Sequence, residues 1–253
     1  MAPVLGCIAD DFTGATDLAN MLVRGGLRTI QLLGVPRSDS HIPDVDAIVI
    51  ALKSRTIEPE IAISQSLQSL EWLQKSGTQQ FFFKYCSTFD STDKGNIGPV
   101  TEALMKALDV DFTIACPAFP ETGRTIFKGH LFVGDALLSD THMNSHPLTP
   151  MTESNLVTVL RKQTTLNVGL VQHDKIEAGH ETLRNSFDAL KKTGVSIAIT
   201  DSITDDHLYT LGEALADFRL ITGGSGIAIG LPNNYQNANL VHLSKEASKL
   251  KPV

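Results

Sequence analysis

The chain has 253 residues, 42% of them hydrophobic and 19% charged, with 21 Lys and Arg against 28 Asp and Glu for a net charge of −7. That length suits one large domain or two small ones and can bury a core without a disulfide or metal staple. An acidic chain with 6% aromatic residues lacks the basic footprint of a nucleic-acid binder.

No apolar run approaches the ~18 residues of a membrane span, and no basic-then-apolar leader opens the sequence. A secreted or membrane protein is not expected. Cys7, Cys86 and Cys116 have no C-x-x-C spacing and sit in apolar runs. They read as reduced, buried thiols of a cytoplasmic protein.

In chain order, Val4–Ala9 is a continuous apolar run, the pattern of a strand buried on both faces. Ala15, Leu18, Ala19 and Leu22 follow at helical spacing, and Gly25–Gly26 stops that helix. Leu27–Leu33 and Asp46–Ala51 read as strands. A helix through Ile63, Leu67 and Leu70 enters near Pro59 and closes at Gly77. Gln80–Cys86 is a strand, Asn96 to Leu108 a helix with Asn96 or Gly98 as cap, and Phe112–Cys116 another buried strand. Thr125–Val133 has strand character about Lys128–Gly129, as a hairpin would. Asn167–Val171 and Val195–Thr200 read as strands flanking a helix near His180–Lys192. Leu208–Ala216 reads as a helix and Leu220–Thr222 as a last short strand. The alternation predicts an α/β fold: a mostly parallel, Rossmann-like sheet with helices on both faces and a β-hairpin insertion in the second half. From Pro232 to Val253 the pattern is lost and the chain turns polar, as a tail or linker remnant would.

Ligands of such sheets sit outside the carboxyl ends of the strands. The first strand delivers Asp10 and Asp11 into a turn with Gly14. Capping by Asp11 or Thr13 explains one polar residue but not two acids, so at least one aspartate is expected to face a ligand. The third strand delivers Lys53 and Arg55, and an arginine fork suits a carboxylate or a phosphate. The fourth runs into Lys84 through Asn96, where Asp90, Ser91, Thr92 and Gly95 precede a helix start. Hydroxyls with a carboxylate match a polyol, since each buried sugar hydroxyl needs a partner, and a free helix N-terminus favours anions. The plainer reading is a polar loop of Asx and Ser turns. The fifth strand leads to Arg124, a further candidate anion contact, in a loop stiffened by Pro117 and Pro120.

Other signals are weaker. Gly224, Gly226 and Gly230 give G-x-G-x-x-x-G but lack the following strand and acid of a dinucleotide fingerprint, so a tight strand–helix turn is expected there. There is no G-x-x-x-x-G-K-[ST] loop, no G-x-S-x-G elbow and no zinc constellation among the eight histidines.

Six segments carry a resemblance. They are I-A-D-D-F-T-G-A-T-D at 8–17, L-K-S-R-T at 52–56, F-K-Y-C-S-T-F-D-S-T-D-K-G-N-I-G-P-V at 83–100, P-A-F-P-E-T-G-R-T at 117–125, H-P-L-T-P-M-T at 146–152 and T-G-G-S-G-I-A-I-G-L at 222–231. Together they resemble the four-carbon acid sugar kinases, and K-Y-C-S-T-F-D-S-T points to the 3-oxo-tetronate subgroup. The resemblance implies ATP-dependent phosphorylation of the terminal hydroxyl of a four-carbon sugar acid. It also implies two α/β domains, the first binding the sugar and the second carrying most of the ATP site. Residues 1–232 would then be the sugar-binding domain and 233–253 a tail. The nucleotide domain, with ATP and Mg²⁺, would lie outside this chain.

On that resemblance, Arg55 helped by Lys84 would hold the sugar carboxylate. Asp90, Ser91, Thr92 and Asn96 would bind hydroxyls and the keto oxygen, with Gly95 in the same block. Asp10 or Asp11 would accept the proton of the attacking hydroxyl. No resident metal site is expected. The expected partners are the sugar acid and either a second copy of the chain, as a homodimer, or a separately encoded C-terminal domain. Two rivals remain: a sugar-acid binder without kinase activity, and an aspartyl phosphatase. The phosphatase wants D-x-D, whereas here the acids are adjacent and Phe12 takes the next place.

Overall fold

The computed structural model describes residues 2–37 and 43–242. Apolar runs long enough to be covered on both faces become its inner strands. Every residue is buried in β1 (Leu5–Ala9), β3 (Ala47–Ala51), β4 (Gln80–Lys84), β5 (Thr113–Cys116), β10 (Ile197–Thr200) and β11 (Leu220–Gly223). The edge strands β2 (Thr29–Leu33) and β9 (Val168–Val171) are covered less completely. All eight run parallel in the order β2-β3-β1-β4-β11-β5-β10-β9.

The long helices are α1 (Phe12–Arg24), α2 (Pro59–Lys75), α3 (Ile97–Leu108), α6 (His180–Lys192) and α7 (Asp205–Ala214). Shorter ones are α4 (Leu156–Arg161), α5 (His173–Glu177) and α8 (Pro232–Asn237). They lie on both faces of the sheet. On one side α2 packs on α3. On the other, α1 and α7 both pack on the short turn Ser225–Ile229 that follows β11.

Strand register aligns the carboxyl ends. Ala9 of β1 sits between Ala51 and Lys84, and Gly223 sits between Lys84 and Cys116. From β1 the chain leaves toward β2 and β3, whereas from β4 it leaves through α3 toward β5 on the other side. The diverging connections open a crevice between the ends of β1 and β4, where such sheets bind ligands.

The expected hairpin is present: β6 (Arg124–Phe127) and β7 (His130–Val133) pair antiparallel, and β8 (Ala136–Leu137) adds a third strand. Its turn residues Lys128 and Gly129 have φ of 50° and 77°, the left-handed pair that a two-residue hairpin turn requires. Asp201, just after β10, accepts hydrogen bonds from both their N–H groups (2.7 and 2.8 Å) and from His173 N–H (3.1 Å), tying the insertion to the sheet.

The last short strand is present as β11, and it is central, inserted between β4 and β5. Two expectations are corrected. Cys7 and Cys116 are buried as expected, but Cys86 is only half-buried because the chain has already left the sheet there. The polar stretch from Pro232 begins as α8, not as a tail. Its Tyr235 is buried and its hydroxyl donates to Gln80 Oε1, while Asn234 Nδ2 donates to Gly212 O (2.8 Å). The remainder of that expected tail, 243–253, lies outside the described residues.

Candidate substrate site at the β1–β4 crevice

Backbone hydrogen bonds first weave three strand ends together. Asp10 N–H donates to Lys84 O (3.0 Å), and Asp10 O accepts from Ser54 N–H and Arg55 N–H (2.9 and 3.2 Å). This brings Arg55 beneath the two aspartates. Its Nε and Nη2 grip the Asp10 carboxylate from two sides, both at 2.9 Å. Nη2 also lies 2.7 Å from Asp11 Oδ1, and Nη1 donates to Asp90 Oδ2 at 3.2 Å. Asp11 in addition caps α1, accepting from Gly14 N–H (3.0 Å). The capping reading is realised at Asp11, and both acids face the guanidinium.

Burial pushes the Asp10 pKa up, against the hydrogen bond and charge of Arg55 and the charge of Lys84, which hold it down. For Arg55, burial works to lower the pKa, but Asp10 outweighs it and the guanidinium stays firmly charged. Lys84 is also buried. Its Nζ donates to Tyr85 O (2.7 Å) beside Gly14, where a Cβ would stand 2.6 Å from that nitrogen. Gly14 thus leaves room for the ammonium under the start of α1.

The loop after β4 turns at Phe89, whose φ of 50° is rare for a buried aromatic residue. Its ring packs edge-on to Tyr85 (5.4 Å between centroids), and the turn sets Asp90 against Arg55. Two residues absent from the sequence-derived candidates then fix this loop. Thr149 Oγ1 donates to Asp90 Oδ1, with His146 Nδ1 2.8 Å from that hydroxyl. Gln163 donates to Ser91 Oγ (2.7 Å) and Thr92 O (2.6 Å), and its Oε1 accepts from Gly98 N–H (2.9 Å). The start of α3 is therefore not the free anion-binding terminus expected: Gln163 caps it and Pro99 offers no N–H. Gly95 is needed where it stands, since a Cβ there would fall 1.6 Å from Ser91 Oγ.

Asn96 aims inward as a brace. Its Nδ2 donates to Ser54 O (2.7 Å) and Ile57 O (2.8 Å), holding the Arg55 loop, while its buried Oδ1 has no protein partner. Arg124 is not brought to this cluster. Its guanidinium hydrogen-bonds Thr122 O within its own turn, because β6 carries it away with the antiparallel insertion. The signal for Thr149 was present in H-P-L-T-P-M-T. Gln163 lies in no motif.

Asp10, Ser54, Arg55, Asp90, Ser91 and Asn96 line a narrow crevice, too tight as it stands to hold a water molecule. Ser91 also lines an adjoining open cleft of about 340 Å³ between residues 91–94 and 150–153. A larger groove of about 770 Å³, beside Gln80, Phe218 and Tyr235, opens at the amino ends of the strands, away from these groups.

The turn Gly223–Gly226 is packed against protein: a Cβ at Gly223 would meet Cys116 O at 2.3 Å, and one at Gly226 would meet Ala118 O at 2.3 Å. These glycines serve close backbone packing in a tight turn after β11, as the plainer reading of G-x-G-x-x-x-G expects. Among the described residues, no group of three His, Cys, Asp or Glu could hold a metal ion. No helix among them is long and apolar enough to cross a membrane.

A parallel α/β sheet with acids, hydroxyls and one shared guanidinium at its switch point defines a small-ligand-binding domain of the doubly wound class. Residues 5–231 match the family of sugar-binding N-terminal domains, and the chain belongs to that family. It is 62% identical over 237 residues to a 3-oxo-tetronate kinase of Pseudomonas savastanoi, covering 93% of this chain and 55% of that protein. It is 57% identical over 253 residues to one of Cupriavidus necator, covering 99% and 59%. The chain thus spans little more than half the length of these relatives. A crystal structure of a Haemophilus influenzae protein matches with a TM-score of 0.88 and 48% identity, over 93% of this chain and 57% of that one. A Bordetella bronchiseptica structure with bound citrate, a domain-swapped dimer, matches with a TM-score of 0.76 and 27% identity, over 93% and 57%.

Proposed function

We propose that this chain is the sugar-acid-binding half of a 3-oxo-tetronate kinase, acting on a four-carbon sugar acid in the cytoplasm. The observation that carries the reading is the meeting of Asp10, Arg55 and Asp90, from three different strand ends, around one guanidinium at the switch crevice. Asp10 and Asp90 accept hydrogen bonds from substrate hydroxyls, and Ser91 and Thr92 extend that contact into the open cleft. Arg55 and Lys84 supply the positive charge that the sugar carboxylate meets. Because Arg55 already serves three acids, the carboxylate enters by taking over its ion pair with Asp11, which one nitrogen alone makes. Asp10 or Asp11 accepts the proton of the attacking hydroxyl. Nucleotide and Mg²⁺ are held by the part of the relatives' length that this chain does not span, and no step of theirs falls to residues here. The working domain runs through α8, which packs on it by Tyr235, and a homodimer is its assembly, in line with the dimeric Bordetella relative.

Calorimetric titration with erythronate, a stable four-carbon sugar acid, tests the reading. Wild type is expected to bind and Arg55→Ala to lose at least tenfold in affinity. Equal affinity of the two would remove the carboxylate contact. Because the chain spans little more than half of these relatives, a binder without turnover is the second reading. ATP consumption by the chain, alone and mixed with the relatives' C-terminal half, separates the two.

A further inference from the structure

The loop of residues 146–152 reaches the crevice at one residue. Leu148 is 71% exposed, whereas Thr149 beside it is 6% exposed. The backbone dips inward there, and Thr149 Oγ1 donates to Asp90 Oδ1, a residue 59 positions earlier in the chain. The other oxygen of that carboxylate, Oδ2, accepts from Arg55 Nη1 at 3.2 Å. Both oxygens of Asp90 are thus held, and the plane of the carboxylate is set.

His146 decides where the Thr149 proton goes. Its Nδ1 lies 3.1 Å from Thr149 N. Nδ1 also lies 2.8 Å from Thr149 Oγ1. A hydroxyl has one proton to give, and here it goes to the Asp90 carboxylate, so Nδ1 pairs with Oγ1 as the donor, with the ring proton on Nδ1.

We propose that Thr149, oriented by His146, is a positioning residue of the sugar-acid site, fixing Asp90 for contact with a substrate hydroxyl. The inference rests on the functional reading above and adds the 146–149 strap to the site. A carboxylate held at both oxygens keeps its remaining lone pairs aimed in one direction, and that lowers the reorganisation needed on binding.

The experiment is calorimetric titration of the whole chain with erythronate, with thermal unfolding of each variant alongside. Thr149→Val keeps the shape and removes the donor. Its affinity is expected to fall about tenfold or more, the effect of losing a hydrogen bond to a charged group, with a near wild-type unfolding midpoint. Thr149→Ser restores the hydroxyl and is expected to bind within about twofold of wild type, a rescue that a packing role would not produce. If Thr149→Val does not fold, His146→Ala decides the matter, and weakened binding is again expected. Wild-type binding with Thr149→Val, or failing that His146→Ala, equally tight overturns the positioning role alone. So does a serine variant as weak as the valine one. A wild-type chain that does not bind erythronate overturns the functional reading, and the positioning role with it.

Discussion

Replacing Arg55 by methionine keeps most of the aliphatic stem and removes the charge that three carboxylates share. The side chains involved are largely out of water: Arg55 is 19% exposed, Asp10 6% and Asp90 9%. Removing one partner of a buried ion pair costs ~3–5 kcal/mol, because the remaining charge is left uncompensated. That is a large share of the ~5–15 kcal/mol typical of a domain.

The loss also has a pH signature. The folded-state pKa of Asp10 already lies above its ordinary value, burial being the largest cause and Arg55 the main restraint. A carboxylate with a raised folded pKa costs stability while ionised, and that cost is relieved as pH falls through the raised pKa. Without Arg55 the pKa rises further. The gap between Arg55→Met and wild type is therefore expected to be widest where Asp10 is ionised, at neutral pH and above, and to narrow as the pH falls through its raised pKa. Urea unfolding across this range measures it. Adding Asp10→Asn to Arg55→Met removes the orphaned charge and is expected to recover part of the loss at neutral pH. A gap below ~1 kcal/mol, the scale of an exposed ion pair, would refute the reasoning, and so would one that does not change with pH.

Gln163→Leu removes three hydrogen bonds at the start of α3 and is expected to cost ~2–3 kcal/mol at about 1 kcal/mol each. Faster amide exchange at Gly98 should accompany it, and unchanged exchange would show that the cap is not needed. Tyr235→Phe deletes the bond to Gln80 and is expected to lower stability by ~1 kcal/mol in the same unfolding assay. No loss would mean that α8 adds nothing to the fold.

The local features were legible because their causes are local. A run such as Ala47–Ala51 reads as a doubly covered strand from its own residues, and Lys128–Gly129 reads as a turn because only certain residues take left-handed backbone. Strand ends followed by Asp10–Asp11, Arg55 and Asp90 point to the carboxyl edge by the geometry of parallel sheets alone.

Long-range pairing decided the rest. Nothing in the four residues of β11 says that they sit between β4 and β5, since parallel partners are chosen by the whole sheet and not by neighbours in the chain. Nor could spacing show that Arg55 would be shared by three acids, that Gln163 would cap α3, or that Tyr235 would find Gln80. Each of those bonds joins segments tens of residues apart, and a polar residue takes its partner only when folding has excluded water from both.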